Sequence, residues 1–127
     1  MSAPDWIAAT VRDFGRGVGI GDFSLGDRGA AAFRFENGYT LRFEYGREEL
    51  VLLVSVPCAN GPAAARRLLA FAHPDARFGA HVRACYLAKS GCAAFAVRLA
   101  ATEVTMPALN AAFGALWRVA KEFGGAA

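Results

Sequence analysis

The sequence predicts an α+β domain: an antiparallel sheet of about five strands with three helices, in the order α-β-β-β-α-β-β-α. Two runs of apolar/polar alternation flank the turn signal Asn37-Gly38, and an apolar run follows at residues 50–56. A second pair of strand-like runs surrounds Ser90-Gly91. Apolar stripes with helical spacing lie near both ends of the chain, and a shorter one lies between residues 60 and 74.

The composition indicates one domain spanning residues 1–127, without a membrane segment. Hydrophobic residues make up 55% of the chain, but 28 of them are alanine, which reports helix propensity and close strand packing. No run approaches the ~18 to 20 apolar residues that a membrane helix needs. The N-terminus has no basic region followed by an apolar stretch, so we expect a cytoplasmic chain without a leader.

The formal net charge is +3 and the pI is near 9.0. The twelve arginines are scattered, and only Arg66-Arg67 are adjacent. A scattered distribution is typical of a solvated surface, so we expect no nucleic-acid partner. Three cysteines without a paired metal-ligand spacing suit reduced thiols.

The alternation around Asn37-Gly38 tests the length of the hairpin loop, because opposed residues in an antiparallel pair share a face. A two-residue loop would place apolar residues opposite polar ones. A three-residue loop at residues 36–38 keeps apolar opposite apolar and requires a left-handed Gly38. The predicted register pairs Phe35 with Tyr39, Arg34 with Thr40, and Phe33 with Leu41.

Residues 50–56 form a nearly continuous apolar run, which in a strand indicates that both faces are covered. Helices can cover one face. A chain of this length has few elements to cover the other, so we expect a second subunit or a bound partner there.

The second hairpin is predicted as strands 82–88 and 93–99 with Ser90-Gly91 as the loop. That loop pairs Tyr86 with Phe95, Ala84 with Val97, and Val82 with Leu99. The opposite face is small and semi-polar and could pack against another backbone; it carries Arg83, Cys85, Ala94, Ala96 and Arg98.

Both terminal helices have clear apolar stripes. The first carries Ile7, Val11, Phe14 and Val18, and Gly19 is a good left-handed stop. Thr105 is the expected cap of the last helix, and Gly124-Gly125 ends it. The stripe of the last helix consists of Leu109, Phe113, Leu116, Ala120 and Phe123, with Trp117 beside it.

The residues offer little catalytic or metal chemistry. Cys58, His73 and Asp75 are the types that a thiol nucleophile requires, and His73 and His81 with a cysteine could bind zinc. Cys58 precedes a helix and His73 lies near its end, so they need not be close, and neither a C-x-x-C nor an H-x-x-x-H pair exists; we expect no enzyme activity, no metal and no cofactor. Trp117 is expected in the core, whereas Trp6 and Phe23 fit a core or a binding surface equally well.

Four local strings, spread over nearly the whole chain, carry a family resemblance. They are residues 13–20 at the end of the first helix, the alternating hairpin at 33–45, Val97-Arg98-Leu99 before the last helix, and Leu116-Trp117-Arg118 within it. In these strings and in the order of elements, the chain resembles the class I type III secretion chaperones, the family of the Tir chaperone.

The resemblance implies a bacterial cytoplasmic homodimer that binds the N-terminal region of a secreted effector in extended form and keeps it competent for export, without ATP. The basic pI departs from the usually acidic character of the family. By position, the effector-facing candidates are Trp6, Ile7, Phe23, Leu25 and Phe33. The dimer candidates are Leu68, Leu69, Phe71 and Tyr86.

The residues are also compatible with two other classes of protein. A small enzyme or ligand-binding α+β domain requires convergent polar groups in a pocket between sheet and helices. A nucleic-acid module would use Arg34 and Arg42 on the sheet and would bind with an affinity that falls steeply with salt.

Overall fold

The predicted α+β class is confirmed by a computed structural model, which describes residues 3–58, 63, 66, 68, 82–87 and 90–125. Ala63, Arg66 and Leu68 have helical backbone; the rest of the second predicted helix lies outside the described residues. The elements whose bounds are defined are α1 (Asp5–Gly17), β1 (Ala30–Arg34), β2 (Thr40–Gly46), β3 (Glu49–Pro57), β4 (Arg83–Leu87), β5 (Cys92–Ala100), a 3-10 turn (Ala101–Glu103) and α2 (Met106–Gly125).

The five strands form one antiparallel sheet in the order β1-β2-β3-β5-β4. Helix α2 packs on β3 and β5, and α1 packs against α2. Ring contacts join the helices to the same face of the sheet. The ring centroids of Phe14 and Phe43 are 5.3 Å apart, and those of Phe123 and Phe95 are 5.6 Å apart. The hydrophobic core therefore lies between this face and the two helices.

The register of the first hairpin is confirmed. Arg34 pairs with Thr40 and Phe33 with Leu41. The Phe35 N–H donates to the Tyr39 carbonyl at 2.8 Å. Gly38 has φ +88°, the left-handed conformation that the three-residue loop requires.

The predicted register of the second hairpin is wrong by two residues. The loop between Leu87 and Cys92 has four residues instead of two, and the Gly91 N–H donates to the Leu87 carbonyl at 2.9 Å. A shift of two leaves each side chain on its predicted face, so polarity could not detect it. The observed pairs are Arg83–Ala96, Ala84–Phe95, Cys85–Ala94, Tyr86–Ala93 and Leu87–Cys92.

The central strand β3 is covered on one face. Its core side is fully buried and consists of Leu50, Leu52, Val54 and Val56. Its other side is only half-buried and consists of Val51, Leu53 and Ser55. The described residues thus leave part of the second face of β3 accessible, on the side where the sequence predicts a partner.

The helix termini follow the predicted signals. Helix α1 ends in a Schellman motif: the Ile20 N–H donates to the Gly15 carbonyl at 2.9 Å, with Gly19 left-handed at φ +81°. Val18 is exposed because it is the C-cap of α1 and has left the apolar stripe. The Thr105 hydroxyl accepts from the Ala108 N–H at 3.1 Å and caps α2.

Candidate functional site

Two of the predicted effector-facing residues lie in the core. Ile7 is 0% exposed and Phe23 is 3% exposed. The Phe23 ring contacts Phe43 edge to face, with the ring centroids 4.9 Å apart. As placed here, neither side chain presents a surface that a partner could contact.

The other three predicted residues retain accessible surface. Trp6 is 51% exposed near the start of α1, where its carbonyl accepts from the Thr10 hydroxyl at 2.7 Å. Leu25 and Phe33 are half-buried and pack against the edge of the core. Among them, Phe33 belongs to a larger group of aromatic side chains.

That group, the aromatic cluster, joins the first hairpin to α2 and consists of Phe33, Phe35, Tyr39, Phe113 and Trp117, each half-buried. The centroid of the Phe35 ring lies 5.0 Å from that of Phe33 and 4.8 Å from that of Trp117. Trp117 also lies 5.5 Å from Tyr39 and 5.7 Å from Phe113. Trp117, expected in the core, is thus at the centre of an accessible aromatic surface.

Tyr39 is held in the aromatic cluster by the end of α2. Its hydroxyl donates to the Ala120 carbonyl at 3.4 Å and occupies the space that a side chain at position 124 would need; residue 124 is glycine. The Tyr39 N–H donates to the Asn37 side-chain oxygen at 3.0 Å. These contacts orient the ring against Trp117, so the geometry of the cluster does not depend on stacking alone.

The aromatic cluster adjoins β1, an edge strand in the described part of the sheet. On the inner side of β1, the Phe35 N–H donates to the Tyr39 carbonyl, and the Gly29 carbonyl accepts from the Tyr45 N–H. Main-chain groups alternate in direction along an antiparallel strand, so those of Ala32 and Arg34 point to the outer edge. An incoming extended segment can pair with this edge.

The predicted dimer residues are only partly described. Leu68 is buried, with 6% of its surface exposed, and Tyr86 is half-buried on the edge strand β4. Leu87, next to Tyr86, is an exposed apolar residue. Leu69 and Phe71 lie outside the described residues.

The described residues contain no candidate metal site. They contain no group of three His, Cys, Asp or Glu residues that could hold a metal, and no buried charged side chain. The Cys58 thiol lies 3.5 Å from the Val56 carbonyl, while His73, Asp75 and His81 lie outside the description. Within the same ranges, no helix is long and apolar enough to cross a membrane.

The family model of the type III secretory system chaperone SycN matches residues 6–124. The chain belongs to this chaperone family. The resemblance noted in the sequence to type III secretion chaperones is thereby confirmed. A comparison with curated proteins found no match by sequence.

Several solved structures, chaperone complexes among them, share the fold. A chain of the ExsC–ExsE complex superposes with a TM-score of 0.80 at 20% identity, covering 98% of this chain and 95% of that one. A chain of the HopA1–SchA chaperone–effector complex superposes with a TM-score of 0.67 at 17% identity, covering 92% of this chain and 91% of that one. A chain of the Yersinia pestis type III secretion chaperone SycH in complex with a stable fragment of YscM2 superposes with a TM-score of 0.68 at 14% identity, covering 92% of this chain and 98% of that one.

Proposed function

We propose that this SycN-family chaperone binds the N-terminal region of a secreted effector in extended form and keeps it competent for export, without ATP and without catalysing a reaction. The observation that carries the proposal is the open edge of β1 beside the aromatic cluster. The edge offers main-chain hydrogen bonds, and the cluster offers apolar surface, which together match what an extended chain needs. The similar structures named above include a chaperone–effector complex and a chaperone bound to a protein fragment.

Pairing at the edge explains how such a site can accept different sequences. Main-chain hydrogen bonds from Ala32 and Arg34 contribute affinity without reading the side chains of the client. In an extended client, alternate side chains point to the same side, so every second residue is directed to the aromatic cluster. The cluster therefore selects apolar residues at alternate positions of the client.

The thermodynamics of this binding mode are distinctive. A disordered client loses chain entropy as it becomes ordered, so tight binding requires a large buried apolar area. That burial gives a strongly negative change in heat capacity. The half-buried aromatic rings supply area at low entropic cost, because surrounding contacts already restrict Trp117 and Tyr39.

The proposal includes a homodimer in the bacterial cytoplasm. Leu87 is exposed and Tyr86 half-buried on β4, at the sheet edge opposite β1. A dimer contact near β4 would leave the β1 edge of each protomer accessible to the client. Light scattering on a size-exclusion column at micromolar concentration is expected to give twice the 13.4 kDa chain mass.

The binding test uses calorimetry with the N-terminal segments of secreted proteins from the same bacterium. Phe35→Ser removes an aromatic ring from the cluster, and Ala32→Pro removes an outward N–H without removing a ladder hydrogen bond to β2. Both variants should weaken binding by about tenfold or more, and Phe35→Ser should also make the heat-capacity change less negative.

The matched control is Val18→Ser, which removes an accessible apolar side chain at the C-cap of α1, a residue outside both the aromatic cluster and the β1 edge. It should leave client affinity unchanged, with the oligomeric mass measured for each variant. The proposal fails if no disordered segment binds, or if binding is equally strong in the two test variants and in the parent protein.

A further inference from the structure

The face of the sheet opposite α1 and α2, here called the outer face, carries an apolar floor bordered by three arginines and two glutamates. Its register can be followed from strand to strand. One row across the sheet runs Arg83, Ala96, Leu53, Arg42, Ala32; the adjacent row runs Arg98, Val51, Glu44, Ala30. The floor therefore consists of Ala96, Leu53 and Val51.

The floor is accessible and concave. Val51, Leu53 and Ala96 are half-buried and line a shallow cavity of about 450 Å³, together with Arg83 and Arg98. Strands lie about 4.8 Å apart, so Arg83 and Arg42 begin about 14 Å from each other on opposite sides of the floor. Arginine side chains are long enough to reach inward over a bound group from both sides.

The charges of the outer face favour an acidic partner. Arg42 contacts Glu44 at 3.1 Å, and Arg98 lies 3.9 Å from Glu49; all four side chains are at least two-fifths exposed. Within the described residues, no carboxylate lies within ion-pair distance of Arg83. Among the described charged side chains around the floor there are thus three arginines and two glutamates.

We propose that the outer face binds an acidic, amphipathic segment of the client protein, with an apolar side chain on the Val51–Leu53–Ala96 floor and carboxylates on Arg83, Arg42 and Arg98. The inference rests on the proposed client-binding function and names the chemistry of one client segment. Arginine suits this role because its planar guanidinium binds carboxylates through paired hydrogen bonds.

The other occupants fit less well. A contact between two copies through this face would bring together two surfaces that each carry more arginines than glutamates, in a chain with a net charge of +3. A nucleic acid would find no aromatic ring on the floor for base stacking. A protein segment with alternating apolar and acidic residues satisfies both the floor and its rim.

The test uses two short soluble peptides and fluorescence anisotropy. One peptide carries leucines separated by glutamates, and the other has lysine at every glutamate position. The acidic peptide should bind the parent protein at least about tenfold more tightly. Arg83→Glu should reverse this preference, and Leu53→Ser should weaken the acidic peptide. Arg12→Glu, an identical charge change on exposed α1 surface, is the matched control and should change neither affinity.

Several outcomes would overturn the inference. Equal affinity for the two peptides would show that the outer face does not discriminate between acidic and basic segments. So would an equal loss of affinity for the acidic peptide in Arg83→Glu and Arg12→Glu. Competition by a single-stranded DNA oligonucleotide as strong as by the acidic peptide would assign the face to nucleic acid. A changed oligomeric mass in Arg83→Glu would assign it to a second copy. The variants of the previous test lie in the aromatic cluster and at the β1 edge, so either proposal can fail alone.

Discussion

Gly15, in the last turns of α1, lies where the chain at Phe23 crosses the helix. A Cβ atom at Gly15 would lie 2.8 Å from the Phe23 Cβ and 3.3 Å from the Phe23 carbonyl oxygen. The first distance is closer than carbon atoms approach without displacement. Glycine at this position therefore serves the packing of the Phe23 segment and not the stability of the helix itself.

Substitution of Gly15 separates helix propensity from tertiary packing. Alanine is the better helix former by about 1 kcal/mol, yet Gly15→Ala should lower the free energy of unfolding by about 1 to 3 kcal/mol because the added methyl overpacks the contact with Phe23. Gly114→Ala is the matched control, since no atom lies within 4 Å of its added Cβ, and it should stabilise the protein. Urea unfolding measures both. Equal shifts in the two variants would contradict the packing argument.

Burial is the residue-scale property that the sequence predicted least well. Ile7 is predicted both as part of the apolar stripe of α1 and as an effector-facing residue. Its side chain can point in only one of these directions, and it is buried in the core. Phe23 lies in a short extended piece whose position depends on Gly15, a contact that local patterns do not report. Trp117 lies beside the α2 stripe, where the first hairpin leaves one side of it accessible.

At the scale of elements, the two hairpins show when a strand register can be read from sequence. In the first, large and charged residues alternate, so a wrong loop length places Phe33 against Arg42 and is excluded. In the second, most of the observed pairs contain an alanine, such as Ala84–Phe95 and Tyr86–Ala93. A shift of two residues there changes neither the face nor the polarity of any residue, and the loop alone determines the pairing.

The β2–β3 turn is an element whose sequence and geometry conflict. Gly46 pairs with Glu49, leaving a two-residue loop in which Arg47 and Glu48 have φ values of 53° and 60°. Such loops favour asparagine followed by glycine, because other residues lose about 1 to 2 kcal/mol in left-handed backbone.

The double variant Arg47→Asn, Glu48→Gly should therefore raise the free energy of unfolding by about 1 kcal/mol. The Glu48 carbonyl accepts from the Ala101 N–H at 2.8 Å, a backbone contact that the substitution keeps. The control is the double alanine variant, which removes the same side chains without relieving the strain. Thermal and urea unfolding should rank the asparagine–glycine variant above both others; a lower rank would mean that the side chains themselves stabilise the turn.

At the scale of the whole molecule, the sheet has two accessible surfaces of different chemistry. One sheet edge, β1, adjoins the aromatic cluster, and the outer face carries the apolar floor with its arginines. The apolar run in β3 predicted cover on both faces, and the half-buried Val51 and Leu53 are the residues of that run for which a partner is proposed. The class of fold and the family followed from element order and local strings, whereas the aromatic cluster required the three-dimensional approach of the first hairpin and α2.

Amide hydrogen exchange of the protein, with and without a bound client segment, measures directly whether an extended client pairs with β1. On binding, the outward amides of Ala32 and Arg34 should become protected, while the Phe35 amide, already bonded to Tyr39, should change little. A client that binds tightly while Ala32 and Arg34 exchange at their unbound rates would contradict strand pairing at this edge.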